Sequence, residues 1–195
     1  VQSYRCVYTA LMPPANVKTE LTTARLRLRW MTEDDADLML SIWNDPDFIR
    51  YVVDRGIRTP TEAREAMREG VLKLYADFNY GPYLLEPLAG GPPMGICGLF
   101  KRDNLDYPDI GYGLLPEFRG RGYALEAASA VLMHARDDLG LTQLKAIVSQ
   151  ANSRSISLLE KLGLRAEGTL RMPDEDEDED VTLYGIVFNS SPQGQ

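Results

Sequence analysis

The residues of this 195-residue chain best suited to hold a charged ligand are Arg119-Gly120-Arg121-Gly122-Tyr123-Ala124. An apolar, strand-like run from Asp109 to Leu115 precedes them and is broken by Pro116, and a helical pattern follows from Gly122 to about Leu139. Strand, glycine-rich turn and helix in that order make an anion site. The N–H groups of a first helical turn have no intrahelical partner and carry partial positive charge, so phosphate oxygens dock there if the turn lets them come close. Gly120 and Gly122 allow this, because they lack a Cβ and tolerate positive φ. Arg119 and Arg121 add charge-assisted donors, and Tyr123 and Ala124 open the helix. The turn is not a dinucleotide fingerprint, since the spacing is not G-x-G-x-x-G and no early strand-helix-strand unit surrounds it, and it is not a P-loop, since no G-K-[ST] closes it.

The rest of the chain reads as elements that position this turn. Ala24 to Trp30 alternates Leu26, Leu28 and Trp30 with Arg25, Arg27 and Arg29, the period of a half-buried strand. Thr32 with Asp35 resembles an N-cap for a helix that stops before Pro46, and Thr59-Pro60-Thr61-Glu62 is a capping box for a second helix to about Phe78. Tyr83 to Leu85, Met94 to Lys101 and Asp109 to Leu115 read as three antiparallel strands, with Ala89-Gly90-Gly91-Pro92 turning between the first two. Beyond Gly140, a helix stop, come a strand from Leu144 to Ser149, a short helix from Ser153 to Leu162 ended by Gly163, and a hairpin of Leu164 to Arg171 with Val181 to Phe188. We expect an N-terminal extension over 1–20, one domain over 21–188 and a flexible tail over 189–195.

Composition excludes several classes. A net charge of -8 and a pI near 4.8 argue against nucleic-acid backbones and allow attraction of cationic partners. Cys6 and Cys97 stand far apart without ligand-spaced histidine, so neither a disulfide scaffold nor a metal site is indicated. No apolar run approaches membrane-span length and no signal-peptide core is seen, which leads us to expect a cytoplasmic protein.

Arg119, Gly122 and Ala124 match R/Q-x-x-G-x-G/A, the acetyl-CoA signature of the GNAT N-acetyltransferases. The surrounding D-I-G-Y-G-L-L-P-E-F-R-G-R-G-Y-A-L-E-A and the later N-S-R-S-I-S-L-L-E-K-L-G-L resemble the RimJ/RimL-like, ribosomal-protein alanine acetyltransferase-type branch. The likeness is tightest over 107–168 and runs in order from about Leu21 to Phe188. It implies an α/β, single-domain GNAT-like fold: a mixed, mostly antiparallel sheet with a splayed central strand pair and helices on both faces. The pantetheine arm of acetyl-CoA, the co-substrate, would lie in the splay. Backbone groups near Gly113 and Leu114 would bond its amides as an added strand does, and an N–H there would stabilise the oxyanion formed when an amine attacks the thioester. By the same resemblance the two early helices, and the loop from Asn44 to Arg58, line the acceptor side. Asn152 would bond the pantetheine or acetyl region and Ser155 would face the sulfur as donor to the leaving thiolate, although Asn152 could equally be a plain helix cap. Leu159 stands where many members have a tyrosine general acid. Asp109, at a recurrent acidic position of the family, is the candidate base or amine anchor, with Glu126 behind it; either could also be an ordinary solvated carboxylate.

The reading is therefore an N-acetyltransferase acting on a primary amine, either a protein N-terminal α-amine or a cationic small molecule, with no nucleic acid, membrane or metal involved, as monomer or homodimer. Its rival is a non-catalytic acyl-CoA-binding sensor or interaction module of the same fold; an unrelated nucleotide-binding protein is a third reading. His134, ten residues past the turn and so roughly 15 Å along the helix, is too far for the thioester and reads as a surface or packing residue. Cys97 reads as a small core residue. The acidic run Asp174 to Asp180 is either a solvated loop or an overhang that draws a cation to the acceptor site.

Overall fold

The computed structural model describes residues 19–171 and 180–188. The expected N-terminal extension apart from Thr19 and Glu20, the acidic run apart from Asp180, and the tail lie outside these residues. One sheet of eight strands carries everything else, in the order β1-β2-β3-β4-β5-β6-β8-β7. The strands are β1 (Glu20–Thr22), β2 (Leu26–Trp30), β3 (Pro82–Pro87), β4 (Gly95–Phe100), β5 (Asp109–Leu114), β6 (Gln143–Ser149), β7 (Arg165–Arg171) and β8 (Asp180–Val187). The expected strands, the expected final hairpin and the mixed architecture are all present, and β1 adds a short edge strand antiparallel to β2.

The central strand pair is splayed, as the family resemblance implies. β4 and β5 pair antiparallel over six positions, whereas β5 and β6 run parallel and meet only at Asp109 and Lys145. β6 then continues into full antiparallel pairing with β8 over seven positions. The edge of β5 beyond Asp109 that faces β6 is thus left without a strand partner, and backbone polar groups so exposed call for one.

Helices cover both faces. On one face α5 (Tyr123–Asp137) lays Ala127, Ala128, Val131 and Ala135, all fully buried, against Leu28, Leu85, Cys97 and Ile110, the i, i+4, i+8 stripe expected of a helix on a sheet. Three alanines in that stripe bring the helix backbone close to the strands. α6 (Ser153–Lys161) joins this core through Leu159. On the other face α1 (Ala36–Trp43), α3 (Pro60–Met67) and α4 (Lys73–Phe78) pack Met39, Ile42, Trp43, Met67 and Tyr75 onto Leu84 and Ile96, and α2 (Pro46–Tyr51) adds the partly buried Phe48.

Local chemistry accounts for the helix boundaries. The capping box at Thr59 forms as expected, with Thr59 Oγ1 accepting from Glu62 N–H and Glu62 Oε2 accepting from Thr59 N–H. The helix it starts reaches Phe78, but through a π-helical segment over Arg68–Leu72 that divides α3 from α4. α2 falls in the stretch expected to be loop. Pro46 does end α1, but it also occupies the first turn of α2, where its missing N–H costs nothing, and Asp45 Oδ1 caps that helix by accepting from Asp47 and Phe48 N–H.

Candidate active site

From β5 the chain passes through a short 3-10 turn, Pro116–Phe118, into the glycine-rich turn and then α5. Gly120 and Gly122 both take left-handed backbone angles, φ +73° and +80°. A Cβ at Gly120 would meet nothing within 4 Å, so the turn is open on that side. Gly122 occupies the N-cap position without a capping side chain, and the helical ladder begins with Glu126 N–H donating to Gly122 C=O. The N–H groups of Tyr123, Ala124 and Leu125 lie ahead of that ladder, the arrangement that binds an anion.

The two arginines of the turn differ. Arg121 is exposed. Arg119, expected to offer its side chain to phosphate, instead braces the turn from behind. Its Nε donates to Leu114 C=O at 2.8 Å, Nη1 to Asp47 Oδ2 at 2.7 Å and Nη2 to Asp45 Oδ1 at 2.5 Å. It thereby ties the end of β5 and the cap of α2 to the first residue of the turn. Arg25 supports the turn from another side: Nη1 donates to Arg121 C=O at 3.0 Å and the guanidinium lies 4.5 Å over the Tyr123 ring. Glu126 holds Arg25 in place, accepting from Arg25 Nε and N–H and from Thr23 Oγ1. Although burial pushes the Glu126 carboxyl up, these bonds outweigh it and the group is held below its ordinary range. Glu126 is accordingly a structural ion-pair partner and not a free base.

In the splay, Gly113 and Leu114 pair with Ile96 and Gly95 on one edge and face the gap to β6 with the other. At the far wall Asn152 caps α6, its Oδ1 accepting from Ser155 N–H at 3.1 Å, so the capping role is realised. Ser155 Oγ lies 2.7 Å from the Tyr112 hydroxyl. Tyr112 is half-buried in β5, and burial raises its phenol to about 12 against the opposing bond with Ser155. Leu159, one turn further along α6, is 1% exposed and wholly part of the core.

Asp109 is 2% exposed, at the point where β5 and β6 part. Its Oδ2 accepts from Arg102 Nε at 3.0 Å, while Oδ1 is buried without a hydrogen-bond partner. Burial pushes its carboxyl above the ordinary range and the Arg102 charge only partly offsets this. Alternation along β5 puts Ile110, Tyr112 and Leu114 on the α5–α6 face and Asp109, Gly111 and Gly113 on the α1 face, where a Cβ at Gly113 would touch Ile42. The structure therefore gathers Gly113, Leu114, Asn152, Ser155 and the phosphate turn around the opening of the splay but not Asp109, which lies four residues, roughly 13 Å, back along the strand. The Phe100 ring, on which a Cβ at Gly111 would collide, stands between. His134 and Cys97 are core residues. His134 is 3% exposed with Nδ1 2.8 Å from Asp138, and Cys97 is fully buried, its thiol pushed up by that burial.

Sequence reasoning missed Tyr112, Arg25, Asp45 and Asp47. Tyr112 reads locally as one more strand aromatic and Arg25 as one more exposed strand position. Only the N-cap pattern Asp45-Pro46 carried a local signal.

With this geometry in view, the comparison with known proteins is direct. The acetyltransferase (GNAT) domain family matches residues 25–165, and the chain belongs to that family. It is an acetyltransferase of a class that draws its acetyl group from acetyl-CoA. It is 30% identical over 159 residues to the uncharacterised protein YkkB of Bacillus subtilis (strain 168), covering 80% of this chain and 91% of that one. It is also 30% identical over 152 residues to the uncharacterised N-acetyltransferase p20 of Bacillus licheniformis, covering 77% and 85%. In fold it is similar to the RimL ribosomal L7/L12 alpha-N-protein acetyltransferase solved in complex with coenzyme A, with a TM-score of 0.74 at 16% identity over 86% of this chain and 96% of that one. A GNAT-family acetyltransferase from Bacillus anthracis gives a TM-score of 0.72 at 22% identity over 86% and 98%. Among the described residues no helix is long and apolar enough to cross a membrane, and no group of three or more His, Cys, Asp or Glu could hold a metal ion.

Proposed function

We propose that this chain transfers the acetyl group of acetyl-CoA to a primary amine by direct attack of the amine on the thioester. The observation that carries this is the single paired position between β5 and β6, which opens a strand edge directly beside the anion-binding start of α5. The diphosphate sits on the N–H groups from Gly120 to Ala124, with Arg121 beside it and Arg119 bracing the turn. The pantetheine amides pair with the free edge at Gly113 and Leu114 as an added strand would. A backbone N–H of that edge meets the oxyanion, Ser155 faces the departing sulfur, and Asn152 shapes the wall by capping α6.

The nucleophile must be an unprotonated amine. Neutralising an α-amine at pH 7 costs about 1 kcal/mol and a lysine-type amine about 4.6 kcal/mol, so an α-amine needs little help. The attacking nitrogen forms the C–N bond, the C–S bond breaks with its electron pair on sulfur, and the ammonium proton leaves through water. Asp109, roughly 13 Å back along β5 and behind the Phe100 ring, does not touch the amine and serves this path only as the end of a water chain that receives the proton. The acceptor class we favour is a protein N-terminal α-amine or a cationic small molecule; the net charge of -8 supports the cation. The test is thiol release from acetyl-CoA with a panel of peptide α-amines, polyamines and amino acids. Turnover on at least one class is expected.

A second reading is a domain that senses acyl-CoA without turning it over. Leu159, buried where a hydroxyl would otherwise stand, favours it. Coenzyme A binding by calorimetry with no thiol release across the panel would decide for the sensor.

A further inference from the structure

We propose that Tyr112 is the positioning residue for the leaving-group donor: from β5 it fixes Ser155 so that the serine O–H is turned toward the departing sulfur. The inference deepens the acetyl-transfer reading and rests on it. Tyr112 lies three residues past Asp109, in the part of β5 that has already left β6, and its side chain crosses to the first turn of α6. Its hydroxyl contacts Ser155 twice, at Oγ (2.7 Å) and at the backbone carbonyl oxygen (3.3 Å).

Either hydroxyl could donate in the 2.7 Å contact; in the proposed arrangement the Tyr112 O–H is the donor, its one hydrogen directed at Ser155 Oγ and shared with the more distant carbonyl oxygen at 3.3 Å. Ser155 Oγ then keeps its own hydrogen free for a third group. The backbone of Ser155 is fixed independently, because its N–H donates to Asn152 Oδ1. Leu159, four residues on along the same face, offers no donor. Burial, which raises the Tyr112 phenol to about 12, keeps it protonated and donating throughout the neutral range.

The chemistry asked of the pair is small and balanced. As the tetrahedral intermediate collapses, the C–S bond breaks and its electrons stay on sulfur. Ser155 O–H donates a hydrogen bond to that sulfur, Tyr112 keeps its proton, and the thiolate is protonated afterwards from water. Tyr112 touches neither the acetyl group nor the sulfur.

The experiment uses the full chain with acetyl-CoA and whichever amine it turns over. In Tyr112→Phe the ring remains and one hydrogen bond is lost, so kcat is expected to fall about 5- to 10-fold with the KM for acetyl-CoA and the calorimetric affinity for coenzyme A unchanged. Ser155→Ala is expected to fall at least as far, and the double variant no further than Ser155→Ala, because the tyrosine acts only through the serine. A wild-type kcat in Tyr112→Phe beside an impaired Ser155→Ala, or additive losses in the double variant, overturns the proposal while leaving the acetyl-transfer reading intact. No thiol release from the wild type on any amine overturns that reading itself, and with it this proposal. A second measurement is independent of folding in the phenylalanine variant. Difluorotyrosine at position 112 keeps ring and hydroxyl but ionises far more easily, so kcat should acquire a new falling limb on the alkaline side; an unchanged pH profile overturns the proposal.

Discussion

Replacing Arg119 by alanine separates two roles that the local sequence does not distinguish. If the side chain reached the phosphates, its loss would weaken coenzyme A and leave the fold alone. The structure gives it three partners within the protein, of which Asp45 is 6% exposed and depends on it for charge. Removing one member of a buried ion pair costs about 3–5 kcal/mol when the other is left without compensation. Here Asp45 keeps its bonds from the N–H groups of Asp47 and Phe48, and Arg119 is itself 28% exposed, so the expected loss is smaller, about 2 kcal/mol. With a urea m-value of about 2–3 kcal/mol/M, the unfolding midpoint should drop by roughly 0.7–1 M at unchanged m. Coenzyme A affinity should fall because the turn loosens, but the salt dependence of binding should keep its slope. Asp47→Asn, on the 44% exposed partner, should move the midpoint little. An unchanged urea midpoint in Arg119→Ala, together with tenfold weaker coenzyme A and a flattened salt dependence, would refute the bracing role and restore direct phosphate contact.

Asp109→Asn tests the buried carboxyl. Its folded pKa is raised, so the protonated form is the one the fold favours; that stability is fully present below the unfolded pKa, near 3.8, and is lost as pH rises through the higher folded value. Thermal unfolding across pH 4–8 should therefore decline less steeply in the asparagine variant, and parallel curves would contradict the assignment. As the proposed end of the proton path, Asp109 should also give kcat a rise with its ionisation that the asparagine variant loses; an unchanged pH profile of kcat contradicts that role. Thr59→Ala removes one half of the capping box that starts α3 and should cost about 1 kcal/mol in urea unfolding, with activity retained; no loss would mean the box is not holding that helix.

The residues that were legible in the sequence are those whose reason is local. Gly120 and Gly122 announce a turn because only residues without a Cβ accept those angles cheaply, and Thr59-Pro60 announces a helix start because each bond of the box lies within three residues. The splay between β5 and β6 came from family likeness and was not visible in periodicity, since nothing in Ile110 to Leu114 marks one edge as open. α2 was hidden because proline both ends a helix and begins one, and the choice depends on the Asp45 cap in front of it. The parts of the site that stayed hidden are contacts between distant segments: Arg119 with Asp45 spans 74 positions, and Tyr112 with Ser155 spans 43. Each residue has an ordinary local explanation, and only the folded sheet brings the pairs together. Glu126 shows the converse, a helix-start carboxylate that looks available until Arg25 and Thr23 are seen on it.

The central claim is that backbone amides at the start of α5 hold the diphosphate of acetyl-CoA, and amide chemical shifts followed by NMR during a coenzyme A titration test it most directly. The largest saturable shifts should fall on Gly120, Gly122, Tyr123 and Ala124, and pantetheine lacking the diphosphate should leave them in place. Saturation with those four amides unmoved, or no saturation at millimolar coenzyme A, would contradict it.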